Sequence, residues 1–191
     1  MKNLKKIIVA ITGASGVVFG IRFLKILQDL HIESHLILSE GGKKNILIET
    51  GFSVDDVGKM ADHVYNDRDL GSAVSSGSFK TDGMVIVPCT MKTLSGVANS
   101  YNDNLIVRAA DVTLKEARRL ILVVRETPLH KGHLKLMYKA ADLGGIILPP
   151  VPAFYIRPKT IEDLVDHALG KVLDLLGIDN SLYARWGEKA Q

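Results

Sequence analysis

Four groups of polar residues stand where an apolar run gives way to a helical pattern, and together they suggest one chemistry. Thr12-Gly13-Ala14-Ser15-Gly16 follows Ile7–Ile11, Ser39 ends a second run, Thr90 and Thr93 follow a third, and Arg125-Glu126 follows a fourth. A glycine turn between strand and helix leaves unpaired N–H groups and the positive end of a helix dipole facing a phosphate. In open α/β sheets, ligands bind at this carboxyl edge. Each group has a plainer reading by itself. The glycines at 13, 16 and 20 do not spell G-x-G-x-x-G, so the turn can be a tight connection only. Ser15 and Thr90 can cap helices, and Ser39 can merely end its strand. Four such groups on one predicted edge argue jointly for a ligand.

Other patterns carry less. Tyr155 and Lys159 match Tyr-x-x-x-Lys in letters, but that motif needs a helix and Pro158 disfavours one at Arg157. His130 and His133 have no Cys, Asp or Glu partner at zinc-like spacing and read as surface histidines. Cys89 follows a strand without an evident base and reads as a small buried residue. Asp55-Asp56 lacks the third Asp of the magnesium motif found in diphosphate-using prenyl enzymes. Ser75-Ser76-Gly77-Ser78 reads as a solvated loop or as one that closes over a cofactor.

The elements that must hold these residues alternate. Strands are predicted at Ile7–Ile11, Ser34–Ser39, Met84–Pro88, Leu120–Val124 and Ile146–Leu148. Helices are predicted at Val17–Leu30, Lys43–Thr50 after a Gly41-Gly42 turn, Leu94–Ala98, Leu105–Ala117, Leu134–Leu143 and Ile161–Leu176. Arg108 and Lys115, seven apart, fall near one face of their helix. Residues 53–82 give only short helical hints and a polar loop. The alternation predicts an α/β fold with a doubly wound, Rossmann-like parallel sheet and helices on both faces, as a single domain over residues 1–191.

Composition bounds the rest. The 191 residues are 47% hydrophobic and 24% charged, ordinary for a globular protein with a proper core. The formal charge of +3 comes without a Lys/Arg run, which points to an anionic ligand and away from nucleic acid. A single cysteine excludes an internal disulfide and predicts a cytoplasmic protein. Lys2, Lys5 and Lys6 precede only five apolar residues, too few for a signal peptide, and no apolar stretch reaches membrane-span length.

With these residues assembled, the chain resembles the UbiX family of flavin prenyltransferases, which includes the partner subunits of phenolic-acid decarboxylases. The resemblance runs through TGASG at 12–16, SSGSF at 75–79, VPCTMKTLSG at 87–96 and RAADVTLKEARRL at 108–120. It continues through VRETPLH at 124–130, LPPVPAFYIRP at 148–158 and RWG at 185–187. It implies a flavoprotein that joins a dimethylallyl group from dimethylallyl monophosphate to reduced FMN, with phosphate released and prenylated FMN delivered to a UbiD-type decarboxylase. It also implies a homo-oligomer, a dodecamer in this family.

By the same resemblance, Gly13, Ala14, Ser15, Ser39, the Thr90-Met91-Lys92-Thr93 turn and Arg125 hold FMN. Tyr155 and Lys171 contact the prenyl phosphate. Glu49, Arg108 and Lys115 complete the phosphate pocket across a subunit boundary, and Ser15 and Glu126 handle protons. Lys171 stands where many members have Arg, and Thr90 where Ser is usual. Physical reasoning agrees with these roles. Breaking an allylic C–O bond makes a carbocation and a phosphate anion, which an aromatic face and Arg or Lys side chains can stabilise. A monophosphate needs only those cations and one proton, so no metal is expected. Two rival readings share the fold. A flavin-dependent decarboxylase would carry Pro-x-Met-Asn-x-x-Met-Trp, which does not occur here, and a non-catalytic flavin-carrying subunit would not need the second phosphate pocket. A nicotinamide dehydrogenase is disfavoured with the Tyr155–Lys159 motif.

Overall fold

A computed structural model describes residues 5–187, which divide into two compact units at Pro149/Pro150. The first unit holds a six-stranded, all-parallel sheet in the order β3-β2-β1-β4-β5-β6. Its strands are β1 (Lys6–Ile11), β2 (Glu33–Leu38), β3 (His63–Asn66), β4 (Gly83–Cys89), β5 (Arg119–Val124) and β6 (Ile146–Ile147). The helices of this unit are α1 (Val17–Asp29), α2 (Glu40–Glu49), α3 (Val54–Gly58), α4 (Met91–Ala98), α5 (Leu105–Lys115) and α6 (Lys131–Asp142). The predicted doubly wound sheet is present.

The apolar runs explain the centre of the sheet. Ile7–Ile11 and Met84–Val87 are buried, as strands covered on both faces must be. One face packs α4, α5 and Ala140 of α6 against Ile8, Ala10, Met84, Ile86 and Leu122, while α1 lies against β1, β2 and β4. Burying a Leu, Ile or Val side chain here contributes roughly 1.5–3 kcal/mol. Thr12 stitches the two central strands: its Oγ1 donates to the Pro88 carbonyl at 2.6 Å and accepts the Thr90 N–H at 2.9 Å.

Two expectations need correction. Gly41 and Gly42 form no separate turn; they lie in the first turn of α2, which Ser39 caps. A Cβ on Gly42 would sit 2.4 Å from the Ile11 carbonyl oxygen, so glycine lets this helix start close against the end of β1. The poorly patterned stretch 53–82 contains an edge strand, β3, paired to β2 through His35↔His63 and Leu36↔Val64. Among the described residues, no helix is long and apolar enough to cross a membrane.

The second unit carries α7 (Ile161–Leu176), started by a Thr160/Asp163 capping box and ended by Gly177 in the left-handed region at φ 65°. After α7 the chain folds back on it, with Asn180 Nδ2 donating to the Gly170 carbonyl at 3.3 Å.

Candidate active site

The carboxyl ends of β1, β2, β3 and β4 open into a cavity of about 780 Å³. It lies where the strand order reverses between β1 and β4, the position that ligands take in such sheets. Its lining includes Gly13 after β1, Ser39 and Gly41 after β2, Asp67 and Arg68 after β3, and Thr90, Lys92 and Thr93 after β4. Asn104, Ile106 and Val107 from the start of α5 complete it with Tyr101 and Asn99.

Three helices begin at this cavity, each capped by a side chain. Ser39 Oγ accepts the Gly42 N–H at 3.0 Å, Thr90 Oγ1 the Thr93 N–H at 3.1 Å, and Asn104 Oδ1 the Val107 N–H at 2.9 Å. Ser39 and Thr90 are therefore caps as well as cavity walls. The first amides of each helix have no intrahelical acceptor by helix geometry, which makes the rim receptive to an anion. Gly13 and Gly41 touch backbone to backbone: a Cβ on Gly13 would lie 2.9 Å from the Gly41 Cα. The opening between β1 and β2 depends on that close approach. Lys92, Arg68 and the three helix starts offer contacts to an anion, and Ile106, Val107 and Tyr101 supply an apolar wall.

Electrostatics modify this picture at two points. Burial pushes the Asp67 carboxyl above its usual range, with Asp103 adding to the effect and the Ile106 N–H opposing it. Burial pushes the Cys89 thiol up to about 12, so it stays protonated at neutral pH and agrees with the reading of a small buried residue.

The remaining expected residues are dispersed. Ser15 is exposed and precedes the helix cap, which is Gly16 at φ 101° without a side-chain bond; Ser15 is thus not the cap of α1. Ala14, Ser15, Met91, Arg125 and Glu126 are outside the cavity lining. Arg125 donates its N–H to the Cys89 carbonyl at 3.1 Å, and Glu126 Oε1 accepts the Thr127 N–H at 3.0 Å, so both sit on the exposed loop after β5. The carboxylate of Glu49 accepts the Gly16 and Val17 N–H groups at 2.8 and 3.2 Å, taking the place at α1 that a phosphate was expected to fill.

Arg108 and Lys115 share the face of α5 that meets the 75–79 loop. Arg108 Nε donates to the Ser75 carbonyl at 3.1 Å, and Lys115 pairs closely with Glu116 beside Gly77. Arg118, which the sequence reading missed, donates to the Gly77 carbonyl at 2.7 Å and the Phe79 carbonyl at 2.8 Å. In the second unit, Tyr155 OH lies 3.4 Å from Nε2 of the buried His167, and Lys171 follows one turn later on α7. His167 was also missed, because a single histidine on an amphipathic helix carries no spacing signal. Residues 155–159 are not helical, and Arg157 has φ 52°, so the dehydrogenase motif is absent in space as well.

Known proteins match the chain over nearly its whole length. The Flavoprotein family profile matches residues 1–172. The flavin prenyltransferase UbiX of Escherichia coli strain K12 is 50% identical over 186 residues, covering 96% of this chain and 98% of its own. The crystal structure of AnUbiX (PadA1) in complex with FMN and dimethylallyl pyrophosphate superposes with a TM-score of 0.96 at 46% identity, covering 98% of this chain and 100% of that one. A dodecameric FMN-dependent UbiX-like decarboxylase from Escherichia coli O157:H7 superposes at 0.92 with 44% identity, covering 95% of this chain and 98% of its own.

Proposed function

The chain belongs to the UbiX family of flavin prenyltransferases, and on that premise we propose that it joins a dimethylallyl group from dimethylallyl monophosphate to reduced FMN. The allylic C–O bond breaks, bonds form at flavin N5 and C6 to close a fourth ring, and inorganic phosphate leaves. Prenylated FMN then passes to a UbiD-type decarboxylase. The observation that carries this reading is the cavity at the strand-order switch, ringed by the starts of α2, α4 and α5.

In this reading Gly13, Ser39 and the Thr90–Thr93 turn hold FMN along the cavity, joined by Ala14, Ser15 and Arg125. Tyr155 and Lys171 meet the prenyl phosphate, and Arg108, Lys115 and Glu49 complete its pocket across a subunit boundary. Glu126 and Ser15 move the protons. Arg108, Lys115 and Glu49 lie outside the cavity lining of their own chain. Residues 1–191 act as one functional domain, a view supported by a family match that spans the junction of the two units.

Exposed Leu47 and Ile48, 62% and 79% accessible beside Glu49, support a homo-oligomer, up to the family's dodecamer. Light scattering on the purified protein tests it; a monomer would remove the shared pocket. A cytoplasmic setting fits the lone, buried thiol of Cys89, and cell fractionation tests it.

The decisive experiment mixes protein, reduced FMN and dimethylallyl monophosphate anaerobically with no added metal, then weighs the released flavin by mass spectrometry. A gain of one prenyl unit is expected. Unmodified FMN that stays bound would overturn the transferase in favour of a flavin carrier.

A further inference from the structure

At the opposite, amino edge of the sheet, three side chains converge on one point. Glu33 and His35 are two apart on β2 and so share a face, and His63 is the registered partner of His35 on β3. Glu33 Oε1 lies 3.1 Å from His35 Nε2 and 3.3 Å from His63 Nε2, and all three ligand atoms fall within 4.8 Å of one another. Two metal–ligand bonds of ~2.0–2.1 Å at a tetrahedral angle separate their ligand atoms by ~3.3 Å. Both carboxylate–imidazole distances are close to that value, and the two imidazole nitrogens lie within 4.8 Å of each other.

The surroundings are built as well. His35 is buried at 1% exposure, stacks on His63 with centroids 4.7 Å apart, and takes the edge of Phe79 at 5.1 Å. Its other nitrogen, Nδ1, lies 2.9 Å from Tyr65 OH. When Nδ1–H donates a hydrogen bond to the Tyr65 hydroxyl, Nε2 carries the lone pair, aimed at the cluster, the outer-shell arrangement typical of metal-bound histidine. Glu33 and Lys6 form the one feature opposing a cation: the Lys6 ammonium lies 3.1 Å from both carboxylate oxygens. Lys6 is 38% exposed on its side chain and has room to swing away.

We propose that Glu33, His35 and His63 form a binding site for a divalent transition ion of the zinc class, with an open fourth position, that fastens the edge strand β3 to β2. Two imidazoles and one carboxylate suit such an ion better than magnesium or calcium. The ion displaces the Lys6 ammonium from Glu33 and is bound by both imidazoles as neutral tautomers whose single N–H sits on Nδ1, so no proton is lost. Four residues of strand, ~13 Å, separate His35 from Ser39 and His63 from Asp67 at the cavity wall, so prenyl transfer does not run through it.

The test uses the untagged full chain, stripped with chelator and titrated calorimetrically with Zn²⁺, with Co²⁺ absorption as a readout of coordination. One ion per chain is expected, together with a rise in melting temperature on adding Zn²⁺. His63→Gln, a change at a half-exposed side chain that leaves the core alone, weakens binding by ~100-fold or more and abolishes the melting shift. Lys6→Gln tightens binding. No bound ion in the wild-type chain, or binding unaltered by His63→Gln, overturns the site.

Discussion

The carboxylate of Glu49, the last residue of α2, closes the start of α1 by accepting the Gly16 N–H at 2.8 Å. A negative charge is unfavourable at the end of its own helix and favourable at the start of another, so the contact ties α2 back to α1. Glu49→Ala leaves the first amides of α1 without that partner and should lower stability by about 1 kcal/mol in urea unfolding. Glu49→Gln keeps an acceptor oxygen and should lose less. Equal stability of all three proteins would show that the contact contributes nothing.

Glu126 and Arg125 are adjacent, yet their proposed roles separate cleanly. Glu126→Gln can still accept the Thr127 N–H, so the loop and FMN affinity should be unchanged. Prenyl transfer should slow by roughly 10²–10⁴-fold if Glu126 supplies the proton. Arg125→Ala should instead raise the FMN dissociation constant, read from flavin fluorescence. Parallel loss of flavin in both variants would contradict the division of roles.

Legibility in the sequence followed burial. Ile7–Ile11 and Met84–Val87 announced themselves because a parallel strand covered on both faces is continuously apolar. His63–Asn66 did not, because an edge strand of four mostly exposed residues is held by backbone pairing to β2, which no local pattern records. Ser39 and Thr90 were legible as strand-end hydroxyls, and the structure makes each both a cap and a wall of the cavity. Asp67, Arg68 and Asn104 escaped because their approach depends on where β3 and α5 meet. The residues that link Arg118 to the 75–79 loop are about forty positions away, beyond any spacing rule.

Gly13 should tolerate no side chain. A Cβ there meets the Gly41 Cα at 2.9 Å, and the atom it strikes is backbone that cannot rotate aside. Gly13→Ala should push the start of α2 outward, costing about 1–3 kcal/mol of stability. FMN affinity should fall with it, since both glycines line the cavity. A variant with wild-type melting and flavin binding would mean that the approach is not required.

Arg118 should govern the order of the 75–79 loop. Its side chain is only 16% exposed, and the guanidinium donates to the Gly77 and Phe79 carbonyls. Arg118→Met preserves the buried stem and removes the donors, which should cost about 1–3 kcal/mol. Limited proteolysis should then cut within the loop while the rest of the chain resists. Unchanged resistance would place the loop's order elsewhere.

Asp174 should make the second unit acid-sensitive. Burial raises its carboxyl, but Arg185 at 2.8 Å, Tyr183 OH at 2.6 Å and Asn180 outweigh burial and bring the pKa down to about 2, from an ordinary value of 3.8. A carboxylate with a depressed folded pKa contributes stability above its unfolded pKa and loses it as pH falls through the folded one. The contribution should therefore be full at pH 5 and above and decline between about pH 4 and 2. Asp174→Asn should flatten that part of the stability profile and lower the plateau, by an amount tempered by the partial exposure of the pair. Tyr183, pushed up to about 12 by burial and by Asp174, should stay protonated throughout. Melting temperatures of the two proteins, measured from pH 2 to 7, check this. Parallel curves would show that the Asp174–Arg185 pair is not what acid breaks.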